Sequence, residues 1–515
     1  MTNSEQIYKK QLCVGDIITN HQMETWKQGD IITISAGTGK GKSYFIKCSL
    51  FAYAKEEGKK ILMLIHRSDC VKQFQEEIKR DGKEKYIDIM TYQSVETKEL
   101  NHKDIDMSQY KYIVSDEFHY FLSDAAFSNT TDISFENIMK QNNATRIFMS
   151  ATGGDMKKYL KNKLKIQTID YEIPIDFAFI DNLKFFHKDS TLDYFAEQSI
   201  NKNKKVIFFI QSASKAYKLY RKFSKYALFN CSKNNASHYK YVDTNKIDNM
   251  LKNERFEELM LITTSCMDAG VNIIDQELMH IVVDIKDIGS LIQCLGRKRI
   301  KVDEKINVYI KTVNNQQLGG LERKTKQEIE MADYLKGHST KEYLDKYRKA
   351  HDNSNIIYDD YAIVNGIIDS DSCMKKVNDL MYFKKKLDIV SYNMMRKLGE
   401  FGYCKFLAQM FGFYDNENDE YTYRTIIEDQ SLLDYLDSMV DKVMLNVKDR
   451  KELIEKINIR QDGKLVKKAE GINPILSKEL GYPYQIRSFS TSRIVNGKKK
   501  NYKNAWVIER IIEAA

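Results

Sequence analysis

The chain is poor in the residues that mark extended, cross-linked or membrane-spanning proteins. Only 3 prolines occur among 515 residues, which excludes long proline-rich linkers. The 8 cysteines are scattered without C-x-x-C spacing, so we expect reduced thiols in a cytosol and no structural zinc site. No apolar run approaches the roughly 18 residues of a membrane span, and the first 20 residues lack the apolar segment of a secretory signal. The expected location is cytoplasmic, without membrane contact.

Arginine is also scarce, at 16 of the 81 basic residues. The net charge of +9 permits a polyanionic partner without proving one. Heavy use of lysine, asparagine and isoleucine points to an AT-rich coding genome, such as that of a bacterium, a phage or a mobile element. With 42% hydrophobic and 30% charged residues, the chain belongs to the ordinary globular class. Its length allows about three to five domains.

Residues 1–315 alternate between short apolar runs and helical patterns, which predicts βαβ units and parallel sheets. Two series of runs predict two α/β domains in tandem, with a boundary near residues 171–182, where Pro174 breaks the pattern. The predicted strands cover residues 31–35, 61–65, 86–90, 111–115, 145–149, 205–210, 259–263, 280–284 and 306–311.

After about residue 316 the pattern becomes amphipathic and mostly helical, with predicted helices at 341–350, 373–398 and 424–445. A small α+β element ends the chain: a short helix at 472–480, strands at 485–491 and 505–511, and a hairpin turn at Asn496 and Gly497. The predicted domains are therefore 1–180, 181–315, 316–470 and 471–515.

Residues 36–43 read A-x-x-G-x-G-K-S between a predicted strand and a predicted helix, which is typical of a phosphate-binding loop. The glycines let the backbone turn so that N–H groups face phosphate oxygens. Lys42 is expected on the β- and γ-phosphates, and the Ser43 hydroxyl on Mg²⁺. The predicted nucleotide-binding residues are Ala36, Gly37, Thr38, Gly39, Lys40, Gly41, Lys42 and Ser43.

Two carboxylates, Asp116 and Glu117, follow the predicted strand at 111–115. The carboxyl ends of parallel strands form the ligand-binding edge of open α/β sheets. We expect Asp116 to hold Mg²⁺ through water, and Glu117 to orient and deprotonate the attacking water.

The order of several motifs resembles the DExH branch of superfamily 2 helicases and translocases. The boxes are Thr91-Tyr92-Gln93-Ser94, Asp116-Glu117-Phe118-His119, Ser150-Ala151-Thr152, residues 264–272 with Asn272 in place of the usual aspartate, and Gln293-Cys294-Leu295-Gly296-Arg297-Lys298-Arg299. The resemblance implies two tandem RecA-like P-loop domains with parallel sheets that bind ATP and Mg²⁺. It also implies that His119 and Gln293 couple the domains, and that Gly270 and Asn272 belong to the nucleotide site.

Arg297 and Arg299 are candidate arginine fingers, because a guanidinium from a second domain can stabilise the charge that phosphoryl transfer spreads over the γ-phosphoryl oxygens. The family's second arginine usually falls one position later, where this chain has Ile300. Arg299 and Lys301 are therefore alternatives for the second finger, and the third alternative is that neither residue serves. No clear glutamine-based box for recognition of the nucleobase precedes the glycine-rich loop. Trp26 and Gln22 are the alternative candidates for contact with the base.

Candidate nucleic-acid contacts are Arg67, Thr91, Gln93, Ser212 and Thr264, although each is equally compatible with a helix cap or a turn. Residues 471–515 carry a net charge of +5 with interleaved aromatic residues. This pattern favours nucleic-acid binding slightly over a solvated lysine-rich hairpin.

The sequence predicts an ATP-dependent helicase or translocase on DNA or RNA, with DNA slightly favoured. Its catalytic residues would be Lys42, Glu117, Gln293, Arg297 and Arg299. The alternative is a nucleic-acid-stimulated ATPase that does not unwind, such as a loader, a remodeler or the motor subunit of a larger assembly.

Overall fold

The computed structural model describes residues 12–66, 68–101, 103, 105–123, 130–264, 272–301, 304–347, 356–360, 363–364, 367–368, 373–426, 430–461, 464–495 and 498–511. Within these residues, no helix combines the length and apolar character needed to cross a bilayer.

The first sheet is parallel throughout and has the order β3-β2-β4-β5-β1-β6. Its strands are β1 (Ile31–Ala36), β2 (Lys60–Ile65), β3 (Ile87–Thr91), β4 (Tyr110–Asp116), β5 (Thr145–Ser150) and β6 (Ile169–Ile173). The helices around it are α1 (Val14–Ile17), α2 (Asn20–Glu24), α3 (Lys42–Phe45), α4 (Phe51–Glu56), α5 (Ser68–Arg80), α6 (Tyr92–Leu100), α7 (Tyr120–Ser123), α8 (Thr131–Met139) and α9 (Gly154–Lys158). π-helical turns at Ile46–Leu50 and Tyr159–Lys163 continue α3 and α9.

The second sheet is also parallel and has the order β19-β7-β12-β11-β8-β10-β9. Its strands are β7 (Ile180–Phe186), β8 (Lys205–Ile210), β9 (Ala227–Asn230), β10 (Met260–Thr263), β11 (Leu278–Asp284), β12 (Ile306–Lys311) and β19 (Arg424–Thr425). The helices of this part are α10 (Ser190–Lys202), α11 (Ala213–Phe223), α12 (Ala236–Tyr239), α13 (Thr244–Asn253) and α14 (Ile288–Leu295).

The central strands of both sheets are buried on both faces, which explains their nearly continuous apolar sequences. Successive residues of a strand point to opposite faces. In β2, Ile61 and Met63 accordingly belong to one core cluster, and Leu62 belongs to the cluster on the other face. In β8, Ile207 and Phe208 are divided between two clusters in the same way. The two parallel sheets confirm the predicted pair of RecA-like domains.

The remaining described part is mostly helical. Its helices are α15 (Asn315–Gly337), α16 (Thr340–Tyr347), α17 (Asp379–Lys397), α18 (Gly402–Phe411), α19 (Gln430–Met439), α20 (Val447–Ile457) and α21 (Ala469–Pro474), which a π-helical turn continues at Ile475–Glu479. Short strand pairs interrupt them: β13 (Ile357–Asp360) with β16 (Met374–Val377), β14 (Ile363–Val364) with β15 (Ile367–Ile368), β17 (Tyr414–Asp415) with β18 (Glu420–Tyr421), and β20 (Arg460–Gln461) with β21 (Lys464–Leu465). A long antiparallel hairpin of β22 (Tyr484–Val495) and β23 (Lys498–Arg510) ends this part.

Two predicted helices were wrong over part of their length. Residues 374–377 form β16, and α17 begins only after the cap residue Asn378. Residues 424–425 form β19 at the edge of the second sheet, where Arg424 pairs with Lys184. Both strands depend on partners distant in the sequence, which local periodicity does not reveal. The predicted turn at Asn496 and Gly497 lies outside the described residues.

Candidate nucleotide and nucleic-acid site

The phosphate-binding loop joins the buried strand β1 to helix α3. Gly39 and Gly41 have φ values of 79° and 78°, a left-handed conformation that favours glycine. The Lys42 ammonium donates to the carbonyl oxygens of Ala36 at 2.8 Å and Gly37 at 3.3 Å, so the lysine folds back over its own loop. Burial lowers the pKa of Lys42, against the opposing effect of Glu117. The loop thus presents a buried cation beside the amino terminus of a helix.

The acidic pair lies at the carboxyl end of β4. Glu117 has a φ of 51°, a strained value for a residue with a side chain. Burial, reinforced by the charge of Glu117, raises the pKa of Asp116 to about 7. Burial alone would raise the pKa of Glu117 as well, but Lys42 and His119 together hold it below its usual range. Glu117 is therefore the member of the pair that stays ionised.

The Asp116 carboxylate and the Ser43 hydroxyl are hard oxygen donors of the kind that Mg²⁺ prefers. A nearby cation would offset the burial and like-charge repulsion that raise the pKa of Asp116. The chemistry of these residues fits the predicted metal. Among the described residues, no group of three or more histidine, cysteine or acidic side chains forms a separate metal site.

A chain of hydrogen bonds leads from the acidic pair into the second domain. The Ser150 hydroxyl lies 3.3 Å from Glu117 Oε2 and 2.7 Å from His119 Nδ1, and it accepts from the Thr152 N–H at 3.0 Å. The Thr152 hydroxyl accepts from Gln293 Nε2 at 3.1 Å. Arg297 Nη2 donates to Gln293 Oε1 at 3.0 Å. Glu117 and Arg297 are thus joined across the domain boundary through three intervening residues, one of which takes part through both its backbone N–H and its side chain.

Arg299 reaches the phosphate-binding loop from the second domain. A Cβ atom built on Gly39 would lie 3.1 Å from Arg299 Nη1. The other terminal nitrogen donates to Asn272 Oδ1, and Asn272 in turn donates to Glu254 at 3.1 Å. Nη1 itself is buried without a hydrogen-bond partner among the described residues. Burial lowers the pKa of Arg299 to about 10, so it remains a cation at neutral pH.

The domains also touch through Gly296, at the end of α14. A Cβ atom there would lie 2.2 Å from the Thr38 hydroxyl of the phosphate-binding loop. This contact, the Gln293–Thr152 hydrogen bond and the approach of Arg299 bring most of the predicted nucleotide residues to one cleft. Gly270 lies outside the described residues. Asn272 is placed against Arg299, which gives it a supporting position for that arginine.

The predicted nucleic-acid contacts follow the carboxyl ends of strands. Thr91 caps α6 by accepting from the Ser94 N–H at 3.0 Å, and Gln93 lies in the first turn of that helix. Ser212 caps α11 by accepting from the Lys215 N–H at 3.3 Å. Thr264 follows β10 and is buried. Arg67 lies outside the described residues.

The two alternatives for base recognition are engaged elsewhere. Trp26 is buried in the core, and its indole N–H donates to the Tyr171 hydroxyl at 3.1 Å. The Gln22 side chain accepts from the Thr19 N–H at 3.0 Å as part of a helix cap.

Sequence reasoning did not name Tyr92, Ser150, Thr152 and Gly296 as site residues. The Tyr92 hydroxyl donates to the carbonyl oxygen of Asp116 at 2.8 Å and so fixes the backbone of the acidic pair. All four lie within the motifs that resemble those of the helicase family. Their position in these motifs is the feature of the sequence that could have identified them as site residues.

The family model described as "Type III restriction enzyme, res subunit" matches residues 7–154. None of the curated proteins compared with this chain matches it. The solved structures with similar folds include S. cerevisiae Dbp5 bound to RNA and ADP BeF3, with 16% identity, a TM-score of 0.41, and 55% of this chain and 79% of that chain covered.

Another similar structure is the Escherichia coli DEAH/RHA helicase HrpB, with 13% identity, a TM-score of 0.43, and 59% of this chain and 43% of that chain covered. The DUF1998 helicase MrfA bound to DNA and AMPPNP shares 14% identity, with a TM-score of 0.41 and coverage of 55% of this chain and 46% of that chain. The family match covers residues 7–154, which contain the glycine-rich loop, the acidic pair and the Ser150-Ala151-Thr152 box. The motif order on the two parallel sheets is similar to that of superfamily 2 helicases and translocases.

Proposed function

We propose that the chain hydrolyses ATP with Mg²⁺ in the cleft between its two parallel-sheet domains and uses the cycle to move along nucleic acid. The observation that carries the proposal is the convergence of charged groups from both domains. Lys42 and Glu117 come from the first domain, and the guanidinium of Arg299 lies beside Gly39. A triphosphate there would be contacted from both sides.

The proposed roles follow from position. Lys42 binds the β- and γ-phosphates, while Ser43 and Asp116 hold Mg²⁺, which neutralises phosphate charge when bound. Glu117, ionised and held by Ser150 at 3.3 Å, orients and deprotonates water. Arg297 and Arg299 stabilise charge that develops on the transferred phosphoryl group.

Movement would follow from a two-state cycle. A ligand shifts a conformational equilibrium only by binding the two states unequally. ATP bridging both domains favours the closed cleft, and loss of the γ-phosphate contacts favours an open one. If Thr91 and Gln93 on one domain and Ser212 and Thr264 on the other hold the same strand, each cycle shifts one pair of contacts relative to the other.

The test compares ATP turnover in the presence of single- and double-stranded DNA and RNA. We expect stimulation by nucleic acid, loss of turnover in Lys42→Ala, and retained ATP binding with slow turnover in Glu117→Gln. Lys59→Ala, an exposed lysine just before β2, serves as the matched control and should behave like the wild type. Turnover indifferent to every nucleic acid would refute the proposal, and near-normal turnover in Glu117→Gln would remove that residue from the base role. A strand-displacement assay separates unwinding from translocation alone.

A further inference from the structure

The carboxy-terminal hairpin has a buried base and an exposed arm, which we define as residues 488–495 and 498–504. At the base, Tyr484, Ile486, Trp506 and Ile508 are buried in a core cluster with the preceding helices. Along the arm, the side chains with described burial are exposed or half-buried, and Ile494 is 78% exposed. With a rise of about 3.3 Å per residue, the arm extends about 25 Å from the base.

The arm carries charge of one sign. Its sequence contains Arg493, Lys498, Lys499, Lys500 and Lys503 and no acidic residue. At the base, by contrast, Arg487 pairs with Glu509 and Arg510 pairs with Asp437. In the part of the chain that the structure describes, no ion pair involves Arg493, Lys499, Lys500 or Lys503. The base is thus neutralised within the protein, whereas the arm is not.

The pairing register places like charges side by side. Arg493 lies directly opposite Lys500, and Lys499 follows on the next pair, opposite Ile494. Like charges directly opposite each other destabilise an antiparallel pair. The arrangement lowers the stability of the isolated protein, and an external polyanion would relieve the repulsion between the like charges. The cations extend from Lys503 toward the tip, so the complementary partner is a linear polyanion with closely spaced charges rather than a single ion.

The shape of the arm selects among polyanions. Two strands about 4.8 Å apart form a ribbon that the major groove of B-form DNA, about 12 Å wide, admits. The major groove of duplex RNA is deep and narrow and excludes such a ribbon. A single-strand site would offer open aromatic faces for stacking. In the arm, by contrast, a cation lies over each of the two aromatic rings. Lys500 lies over Tyr502, at 5.4 Å from the ring centroid, and Arg487 lies over Phe489 at 4.8 Å.

We propose that the hairpin arm binds duplex DNA by entering the major groove of a B-form helix. This inference rests on the proposed function and narrows its substrate class. It assigns the arm a role in holding the duplex, separate from the strand contacts at the edges of the two parallel sheets.

The test uses the full chain and a fourfold arm variant, R493Q/K499Q/K500Q/K503Q. The control, K218Q/K225Q/K240Q/K252Q, removes the same charge from exposed lysines of the second domain. Binding to a labelled DNA duplex, an RNA duplex of the same sequence and single-stranded DNA is measured by fluorescence anisotropy at several salt concentrations. A further variant, K499R/K500R/K503R, replaces three lysines of the arm with arginine and so keeps their charge. It tests whether charge, rather than side-chain identity, is responsible for binding.

We expect the arm variant to lose at least about tenfold in affinity for duplex DNA. The slope of the logarithm of the binding constant against the logarithm of the salt concentration should become shallower by up to about 3.6, because four cations are removed and each phosphate contact contributes about 0.9. Binding to duplex RNA and single-stranded DNA should change less than about twofold, as should all binding by the control and arginine variants.

Unchanged duplex-DNA affinity in the arm variant, equal loss on all three nucleic acids, or a larger loss on RNA or single strands would each overturn the inference. ATP turnover keeps this result distinct from the proposed function. If the wild type shows nucleic-acid-stimulated hydrolysis while the arm variant binds duplex DNA normally, only the inference about the arm fails. If no nucleic acid stimulates the wild type, the proposed function itself fails.

Discussion

Replacing Gly296 with alanine tests whether ATP hydrolysis requires the closed cleft, in which Gly296 approaches Thr38. Gly296 ends α14 with a φ of −72°, which any residue adopts, so the backbone itself does not require glycine. The obstacle is Thr38, whose hydroxyl would lie 2.2 Å and whose methyl group 2.9 Å from the new Cβ. Since these residues belong to different domains, the clash opposes domain closure rather than the folding of either domain.

The size of the effect follows from the cost of overpacking, about 1–3 kcal/mol for an added methyl group in a packed contact. Applied to closure, that cost lowers kcat/KM for ATP by about 5- to 150-fold. Thr38→Ala removes the two atoms nearest to the clash and leaves the Thr38 Cβ at 3.1 Å. The double variant Thr38→Ala/Gly296→Ala should therefore recover a large part of the lost activity.

The assay is steady-state ATP hydrolysis with saturating nucleic acid, combined with thermal unfolding. The melting temperature of Gly296→Ala should remain close to that of the wild type, because the contact lies between domains. Gly319→Ala is the matched control, since within the described residues its new Cβ on α15 meets no heavy atom within 4 Å apart from those of its chain neighbours and of its own helix backbone. Wild-type turnover in Gly296→Ala, or equal losses in the single and double variants, would refute the reasoning that Thr38 and Gly296 meet in the active state.

Two further predictions concern single side chains. Arg299→Ala should lower kcat by about 100-fold or more, as loss of a transition-state donor does, whereas Lys301→Ala should leave ATP turnover unchanged; the reverse result would make Lys301 the second finger. Asp132 is 6% exposed, accepts from the Tyr358 hydroxyl at 3.1 Å, and has a pKa raised by burial to about 7. The folded state then keeps a proton that the unfolded chain releases near pH 4, so stability falls as the pH rises from about 4 to 7. Asp132→Asn should remove this dependence and raise the melting temperature at pH 8 but not at pH 4; equal shifts at both pH values would contradict the assignment.

Elements with strong local signals were predicted closely from the sequence. The strands predicted at 205–210 and 306–311 have those bounds in the structure, and the strand predicted at 31–35 ends one residue later. Continuous apolar runs bounded by turn residues are sufficient to specify buried parallel strands. The phosphate-binding loop was equally local, because its glycines and Lys42 are neighbours in the sequence.

Contacts across the cleft could not be predicted in the same way. The Thr152–Gln293 hydrogen bond and the close approach of Gly296 to Thr38 join residues more than one hundred positions apart. Motif membership indicated that these segments matter, but not which atoms meet. The support of Arg299 by Asn272 is a similar case, since the resemblance had assigned Asn272 to the nucleotide itself. Strands β6, β7 and β9 were missed because their runs are short or partly polar.

Helix α17 ties the helical region to both parallel-sheet domains. Near its start, Leu380 is buried in a core cluster of the first domain, and the cap residue Asn378 donates to Thr131 at 3.0 Å. Near its end, Met395 is buried in a core cluster of the second domain. The 19 residues of the helix cover about 28 Å as one stiff rod.

Opening the cleft changes the distance or angle between the two cores that α17 joins. Because packed cores resist continuous deformation, the helix must tilt as a unit or one of its ends must slide. Helix α18 and strand β19 follow α17 and pack with the second domain, where Leu407 is fully buried. Helix α19 contributes Leu432 and Leu436 to the cluster that holds the base of the hairpin. If ATP drives the proposed domain movement, we expect α17 and α18 to transmit it to the cluster that holds the base of the carboxy-terminal hairpin, because these helices pack between that cluster and the two domain cores.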